Sequence, residues 1–381
     1  MTQPSEPSPQ EVINAIALTR LAGCPQSVVL ELYRRLGSAT EIIDQRDQLP
    51  SLFPDIHQRI SQAFEGLGQA LHRAEEEYRY AEENSVQVLT LNDARYPQRL
   101  RECPDAPLVL YYKGVADLNQ SRVISIVGTR FCTAYGQDLV RRFIIDLRTH
   151  CPHALIVSGL AYGIDVAAHR NALENGYETV AVLAHGLDTL YPSRHANTAK
   201  KMLYQGGLLT EYPTHTNVDK GNFVRRNRIV AGISDATILV ESAAHGGGLI
   251  TTRIARDYSR DVFAFPGPVG AQFSEGCNNL IRDNGAALIS SADDFVRAMG
   301  WEEDALRAKA QKNGIERQLF PELTDEEKLV VEALQKHNDL QINVLSVQTN
   351  IAIGPLTAIL FTLEMKGVVR PLSGGAYHLL A

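Results

Sequence analysis

Residues Ile126 to Gly136 read IVGTRFCTAYG, a β-branched run that stops at a glycine and passes into a helical pattern. The same rhythm repeats for some 170 residues. Strands are expected at 123–127, 154–157, 179–184, 207–211, 236–241, 261–265 and 287–289. Helices are expected between them, at 135–149, 166–175, 193–205, 223–231, 249–259 and 278–284. Continuous apolar strands joined by crossover helices specify a parallel sheet covered on both faces. Right-handed crossovers make it doubly wound, with a site outside the carboxyl ends of its strands.

The flanks differ in character. Residues 1–10 are polar and Pro-rich, a disordered tail without the features of a signal peptide. Residues 11–83 read as a small all-helical domain, broken at Gly23-Cys24-Pro25, whose LAGCP hairpin is weakly similar to helix-hairpin-helix and SAM-like domains. The sheet domain is expected over 84–300 and a charged linker over 301–320. In 321–381 a capping box at Thr324 and Glu327 opens the first of three helices, and a hairpin around Ser373-Gly374-Gly375 closes a winged helix.

The chain has 381 residues and a formal net charge of -7, so a nucleic-acid site has to be a local patch. The five cysteines show no CxxC or CxxH spacing, which argues for a reducing cytoplasm and against a zinc site or a disulfide framework. No apolar run is long enough to span a bilayer, and neither a cofactor nor a metal is expected.

The patch that meets the requirement is KGNFVRRNR, Lys220 to Arg228, with four cations and one ring. Cations neutralise phosphates and a flat ring stacks on a base. The alternative is a solvated basic helix start. The strand order places this stretch after the fourth of the expected strands, at the mouth of the sheet. Arg130 stands where a dinucleotide-binding turn needs a small residue, and it offers donors to phosphate. Ser158-Gly159 presents an N–H and a hydroxyl to an anion. Asp165 and His169 share a helix face, as a cap and a locally bonded histidine. His185 and His195 lack metal spacing. Gly246-Gly247-Gly248 opens a helix without the GK[ST] of a nucleotide-hydrolysing loop.

The ordered set GTR, SGLAYGIDVAAH, GLDTLYP, TEYP, KGNFVRRNRIVAGIS, the 241–252 Gly loop, FPG and CNNLI resembles the DNA-processing protein A (DprA/Smf) family. The resemblance implies an extended Rossmann-like core, single-stranded DNA as ligand, a homodimer, and loading of RecA during natural transformation. It implies DNA contacts by Arg130, Lys220, Phe223, Arg226, Asn227, Arg228, Ser158, Gly159, Gly128, Thr129 and Gly247, with Arg226 and Arg228 the weaker members. The chain departs from the family at Thr129, usually Ser, at Val224, often Pro, and at Gly246-Gly247, usually Ser-Gly.

Two other readings stand beside this one. A related Rossmann-like family cleaves nucleotides with a PGGxGTxxE signature, but Ala255 occupies the position of its Glu. A pure RecA adaptor would leave Lys220 and Phe223 without a purpose. In the winged helix acidic residues outnumber basic ones, and the expected recognition helix 355–366 carries a single cation. That pattern points to a protein contact rather than duplex DNA.

Overall fold

The computed structural model describes residues 7–49, 62–301, 323–372 and 375–380. The expected linker, the start of the tail and the tip of the C-terminal hairpin therefore lie outside the described residues. The chain divides into two compact units, Met1–Ala305 and Leu306–Ala381.

The first unit opens with helices α1 (Pro9–Thr19), α2 (Gln26–Leu36), α3 (Ala39–Asp44) and α4 (Leu67–Glu83). Gly37, at φ 80°, ends α2 in the left-handed conformation that a side chain disfavours. Strand β1 (Gln87–Thr90), helix α5 (Gln98–Arg101) and strand β2 (Val109–Gly114) follow. Then come β3 (Val123–Val127), α6 (Ala134–His150), β4 (Leu155–Ser158), α7 (Ile164–Glu174), β5 (Thr179–Val182), α8 (Ala196–Met202) and β6 (Gly206–Thr210). The unit closes with α9 (Lys220–Gly232), β7 (Ala236–Leu239), α10 (Gly247–Asp257), β8 (Asp261–Ala264), α11 (Glu275–Arg282), β9 (Ala287–Leu288) and α12 (Ala292–Ala298).

These strands form one nine-stranded sheet in the order β1-β2-β6-β5-β4-β3-β7-β8-β9. From β6 to β9 every pairing is parallel, whereas β2 runs antiparallel to both β1 and β6. Each of the expected strands is present. The antiparallel edge was not anticipated, because Pro97, Pro104 and Pro107 interrupt any repeating strand–helix period there.

Both faces of the sheet are buried. Within β3, Ile124 and Ile126 join a core with Phe143 and Ile144 of α6 and Ile164 of α7. Val123 and Val127 point the other way, into a core with Ile229 and Val230 of α9. This is the alternation that a strand covered on both sides imposes. The second core also takes in Ile16 and Leu18 of α1, Leu89 of β1 and Leu110 of β2. The helices of 11–83 and the sheet of 84–300 thus share one compact unit, since α1 and α4 bury their apolar faces against the antiparallel edge.

The winding reverses at β3, which is flanked by β4 on one side and β7 on the other. A ligand cleft is expected there, outside the carboxyl ends of these strands.

The second unit is a winged helix. It contains α13 (Asp325–Lys336), β10 (Leu340–Gln341), α14 (Ile342–Thr349), α15 (Ile353–Met365), β11 (Val369–Leu372) and β12 (Ala376–Leu379). The capping box forms as its sequence predicts. Thr324 N–H donates to Glu327 Oε2 at 2.7 Å, and Glu327 N–H donates to Thr324 Oγ1 at 3.3 Å. Lys366 Nζ adds a bond to the same carboxylate at 2.7 Å. Among the described residues no single helix is long and apolar enough to cross a membrane.

Candidate nucleic-acid interface

At the reversal point lies a cleft of about 370 Å³, lined by the turn after β3, the start of α9 and the glycines that open α10. Its shape follows from three backbone constraints. Thr129 N–H donates to the Glu241 carbonyl at 2.7 Å, which ties the GTR turn to the end of β7. Ile164 N–H donates to the Thr129 carbonyl at 3.2 Å, which ties the same turn to the start of α7. Gly163 has φ 77°, and a Cβ there would sit 2.1 Å from the Thr129 carbonyl oxygen, so only glycine allows this approach.

Arg130 is exposed, with its guanidinium carbon 5.2 Å from the centroid of the Phe223 ring. The Tyr191 ring meets Phe223 edge-on at 5.8 Å. Both rings stay partly open to solvent. Lys220 is the first residue of α9, one turn before Phe223, and it is exposed. Asp219 caps this helix by accepting Gly221 N–H at 2.7 Å. The arrangement puts the exposed Arg130 within cation–π distance of the ring, with the exposed Lys220 one turn earlier on the same helix.

Arg226 does something different. It is 3% exposed and donates to the Gly159 carbonyl at 2.8 Å and to the Val182 carbonyl. Its other neighbours are the Phe223 ring, 5.9 Å away, and the Asp165 carboxylate, whose charge offsets part of the effect of burial on the guanidinium. A Cβ on Gly159 would lie 2.5 Å from the guanidinium, so glycine is required there for room. Arg228 is also turned inward. It pairs with Glu211 and donates to the Asp105 carbonyl at 2.7 Å.

Donors of Arg226 and Arg228 are thus engaged within the fold, and of the two Arg226 also lines the cleft. Ser158 is engaged within the fold as well. It is fully buried, and its hydroxyl donates to the Ile126 carbonyl at 2.6 Å. The anion at the Ser158-Gly159 turn is the protein's own Asp165. Burial raises the pKa of Asp165, opposed by the Arg226 charge and the amides of Ala161 and Gly159. Gly163, not Asp165, occupies the cap position of α7. A second carboxylate fills the helix start next door. Glu241 accepts Thr133 N–H at 2.8 Å and Thr133 Oγ1–H at 2.6 Å at the N-terminus of α6.

The remaining expected residues gather at the cleft. Gly128, Thr129, Gly159, Asn227 and Gly247 line it. Asn227 Oδ1 accepts from Arg226 Nε at 3.3 Å. A side chain at Gly247 would meet nothing within 4 Å, whereas one at Gly248 would come within 3.4 Å of Gly128. The α10 turn thus closes over the GTR turn and keeps Gly247 open. Sequence reasoning missed Phe131, which is 77% exposed and lines the cleft, and it counted the exposed Arg225 in the basic run without assigning it a contact. Phe131 follows Arg130 directly in sequence, and an aromatic beside a cation at a strand end was the available signal.

The N-terminal helices hold the approach to α9. Glu77 of α4, 3% exposed, accepts Thr214 N–H at 2.9 Å and Thr214 Oγ1–H at 2.6 Å. Arg73 donates to the Thr214 carbonyl at 3.1 Å. From the other side Asp188 accepts His215 N–H at 2.9 Å.

The family model for DNA recombination-mediator protein A matches residues 87–300, and the DprA winged helix model matches residues 316–375. The chain belongs to the DprA/Smf family. It is 34% identical over 326 residues to Protein Smf of Synechocystis, covering 78% of this chain and 81% of that protein. It is 40% identical over 204 residues to the DNA processing protein DprA of Streptococcus pneumoniae, covering 54% of this chain and 71% of that protein. The solved structure of the pneumococcal DprA matches with a TM-score of 0.64 and 30% identity, over 77% of this chain and 98% of that one. The DNA processing protein A of Helicobacter pylori binds single-stranded DNA. Its structure matches with a TM-score of 0.51 and 27% identity, over 56% of this chain and 95% of that one. The cleft described above falls wholly inside the family-matched segment.

Beneath the cleft, His169 of α7 is fully buried, with Nδ1 2.7 Å from Thr179 Oγ1. Burial, then the charges of Arg226 and His195, push its pKa down to about 3. An unfolded chain protonates histidine near 6.5. As pH falls from 6.5 towards about 3, the unfolded state takes up a proton that the folded state refuses, so stability is lost on acidification. Asp165, shifted upward, acts in the opposite sense at the acid end of this window. His169→Gln removes only the histidine contribution. Urea unfolding midpoints measured on either side of pH 6.5 should therefore change less steeply in His169→Gln than in the unaltered protein, and equal slopes would contradict this assignment.

Proposed function

We propose that this chain binds single-stranded DNA in the cleft outside β3 and β7 without sequence preference. On this reading it shields incoming strands during natural transformation and passes them to RecA as a homodimer in the cytoplasm. The observation that carries the single-strand reading is the Phe223 ring set between Arg130 and Tyr191 with Lys220 one turn away. Every base offers a π-face, so stacking tolerates any sequence, and exposed cations track the phosphates. Family membership and the single-stranded DNA bound by the Helicobacter pylori relative support the same ligand. RecA and the homodimer rest on the family resemblance.

We read the protein as a mediator rather than an enzyme. The carboxylate that lines the cleft, Asp165, is tied to Arg226, and Ala255, where nucleotide-cleaving relatives carry Glu, is fully buried. The domain plan follows the same reading: a helical brace over 11–83, a DNA-binding core over 84–300 and a winged helix over 321–381.

The winged helix favours a protein contact. On α15 Phe361 is 62% exposed and Met365 75% exposed, and the adjoining Lys366 is paired with Glu327. A helix that grips duplex phosphates needs free cations on its outer face.

Two outcomes follow. In salt titrations with oligo(dT), Phe223→Ala should lose about 1–3 kcal/mol per stacked base, and Arg130→Ala should reduce the salt slope by about one. Unchanged affinity in both variants would remove the cleft as the site. A chain ending before Leu306 should bind duplex DNA no more weakly than the full chain in gel-shift assays, and a large loss would return the winged helix to duplex binding.

A further inference from the structure

Beyond the cleft, α7 and α8 enclose a groove of about 570 Å³. Its walls carry Arg170 of α7 and Lys201 of α8, and Tyr204 at its rim is 85% exposed. Gln205 closes one end by donating to the Leu173 and Tyr177 carbonyls at 3.1 and 2.9 Å. Arg194 and Lys200 are exposed on the same segment. From Thr189 to Gln205 there are three cations and no carboxylate, in a chain with a net charge of -7. Glu174 is the carboxylate among the lining residues. None of Arg170, Arg194, Lys200 and Lys201 forms an ion pair among the described residues. A local excess of unpaired cations on an acidic protein is the footprint of a polyanion.

Rings stand just before the first turns of both groove helices. Tyr191 meets Phe223 at 5.8 Å, and four residues later His195 meets Tyr162 edge-on at 5.0 Å. Tyr191 is 44% exposed and Tyr162 38% exposed, so both rings are open to solvent. His185 Nε2 accepts Tyr191 N–H at 3.1 Å and His195 Nδ1 bonds to the Leu160 carbonyl at 2.8 Å, which fixes both loops. The α7 helix runs from Asp165 at the cleft to Glu174 at the groove, about 13 Å at 1.5 Å per residue. That length suits a strand that leaves the cleft and continues along the helix.

We propose that the α7–α8 groove is a second segment of the single-strand path, in which Arg170, Arg194 and Lys201 neutralise phosphates and Tyr204 receives a base. The inference rests on the single-strand reading of the cleft. It separates binding of a short oligomer, held by the cleft alone, from binding of a longer one that also fills the groove.

The test compares oligo(dT) of about 6 and about 20 nucleotides, within and beyond the span of one binding fold. The proteins are the full chain, the double variant Arg194→Gln/Lys201→Gln, Tyr204→Ala and Lys220→Glu. The double variant should keep the short-oligomer affinity of the unaltered chain. Its salt slope with the longer oligomer should fall by about 1.4, or 0.7 for each lost phosphate contact. Tyr204→Ala should weaken only the longer oligomer. An unchanged slope and affinity for the longer oligomer in both groove variants would overturn the proposal. Lys220→Glu binding both oligomers as tightly as the unaltered chain would instead overturn the cleft reading, so the two failures are distinguishable.

Discussion

The site depends on one buried cation. Arg226 carries a guanidinium into the interior, where it grips the carbonyls that follow β4 and end β5 and faces Asp165. A buried charge is tolerable only with its partners in place, and removing one partner of such a pair typically costs about 3–5 kcal/mol. This grip fixes the first turns of α9 against the sheet. Phe223 lies one turn before Arg226 on the same helix, so the ring is aimed by a residue that is itself almost wholly buried. Gly159 exists to admit the guanidinium, and Asp165 answers its charge. The apparent basic run KGNFVRRNR is thus two sets of cations with opposite tasks. Lys220 and Arg225 face outward, while Arg226 and Arg228 hold the fold.

On the single-strand reading, the same division lets an acidic chain hold a polyanion. Two anion-binding positions at the sheet mouth, the Ser158-Gly159 turn and the start of α6, are filled by Asp165 and Glu241. The positions left to a ligand are the Gly247 turn and the exposed cations beside Phe223. The N-terminal helices contribute from a distance. Through Glu77 and Thr214 they brace the loop that delivers Lys220, which ties the helical region to the geometry of the cleft.

The parallel strands and their crossover helices were legible in the sequence because each strand is a continuous apolar run and each turn carries a glycine. The capping box at Thr324 and Glu327 was legible for the same reason, a local rule with local partners. Strands β1 and β2 were not, since their pairing is long-range and prolines obscure the period. The inward turn of Arg226 and Arg228 was legible only as weaker membership of the site, because nothing local distinguishes the buried Arg226 from the exposed Arg225 beside it. Ser158 was misplaced because its hydroxyl partner, the Ile126 carbonyl, lies on a neighbouring strand. The ordered motifs identified the family, yet the tasks of single residues within them needed three-dimensional partners.

On the proposed reading the cleft takes a single strand through Lys220 and Phe223, and duplex DNA has no comparable site. Fluorescence anisotropy with a single strand and its duplex, across a range of salt, separates the two. The single strand is expected to bind clearly more tightly at every salt concentration, with the difference abolished in Lys220→Glu. Equal affinity for the duplex, or a single-strand preference that survives Lys220→Glu, would contradict it.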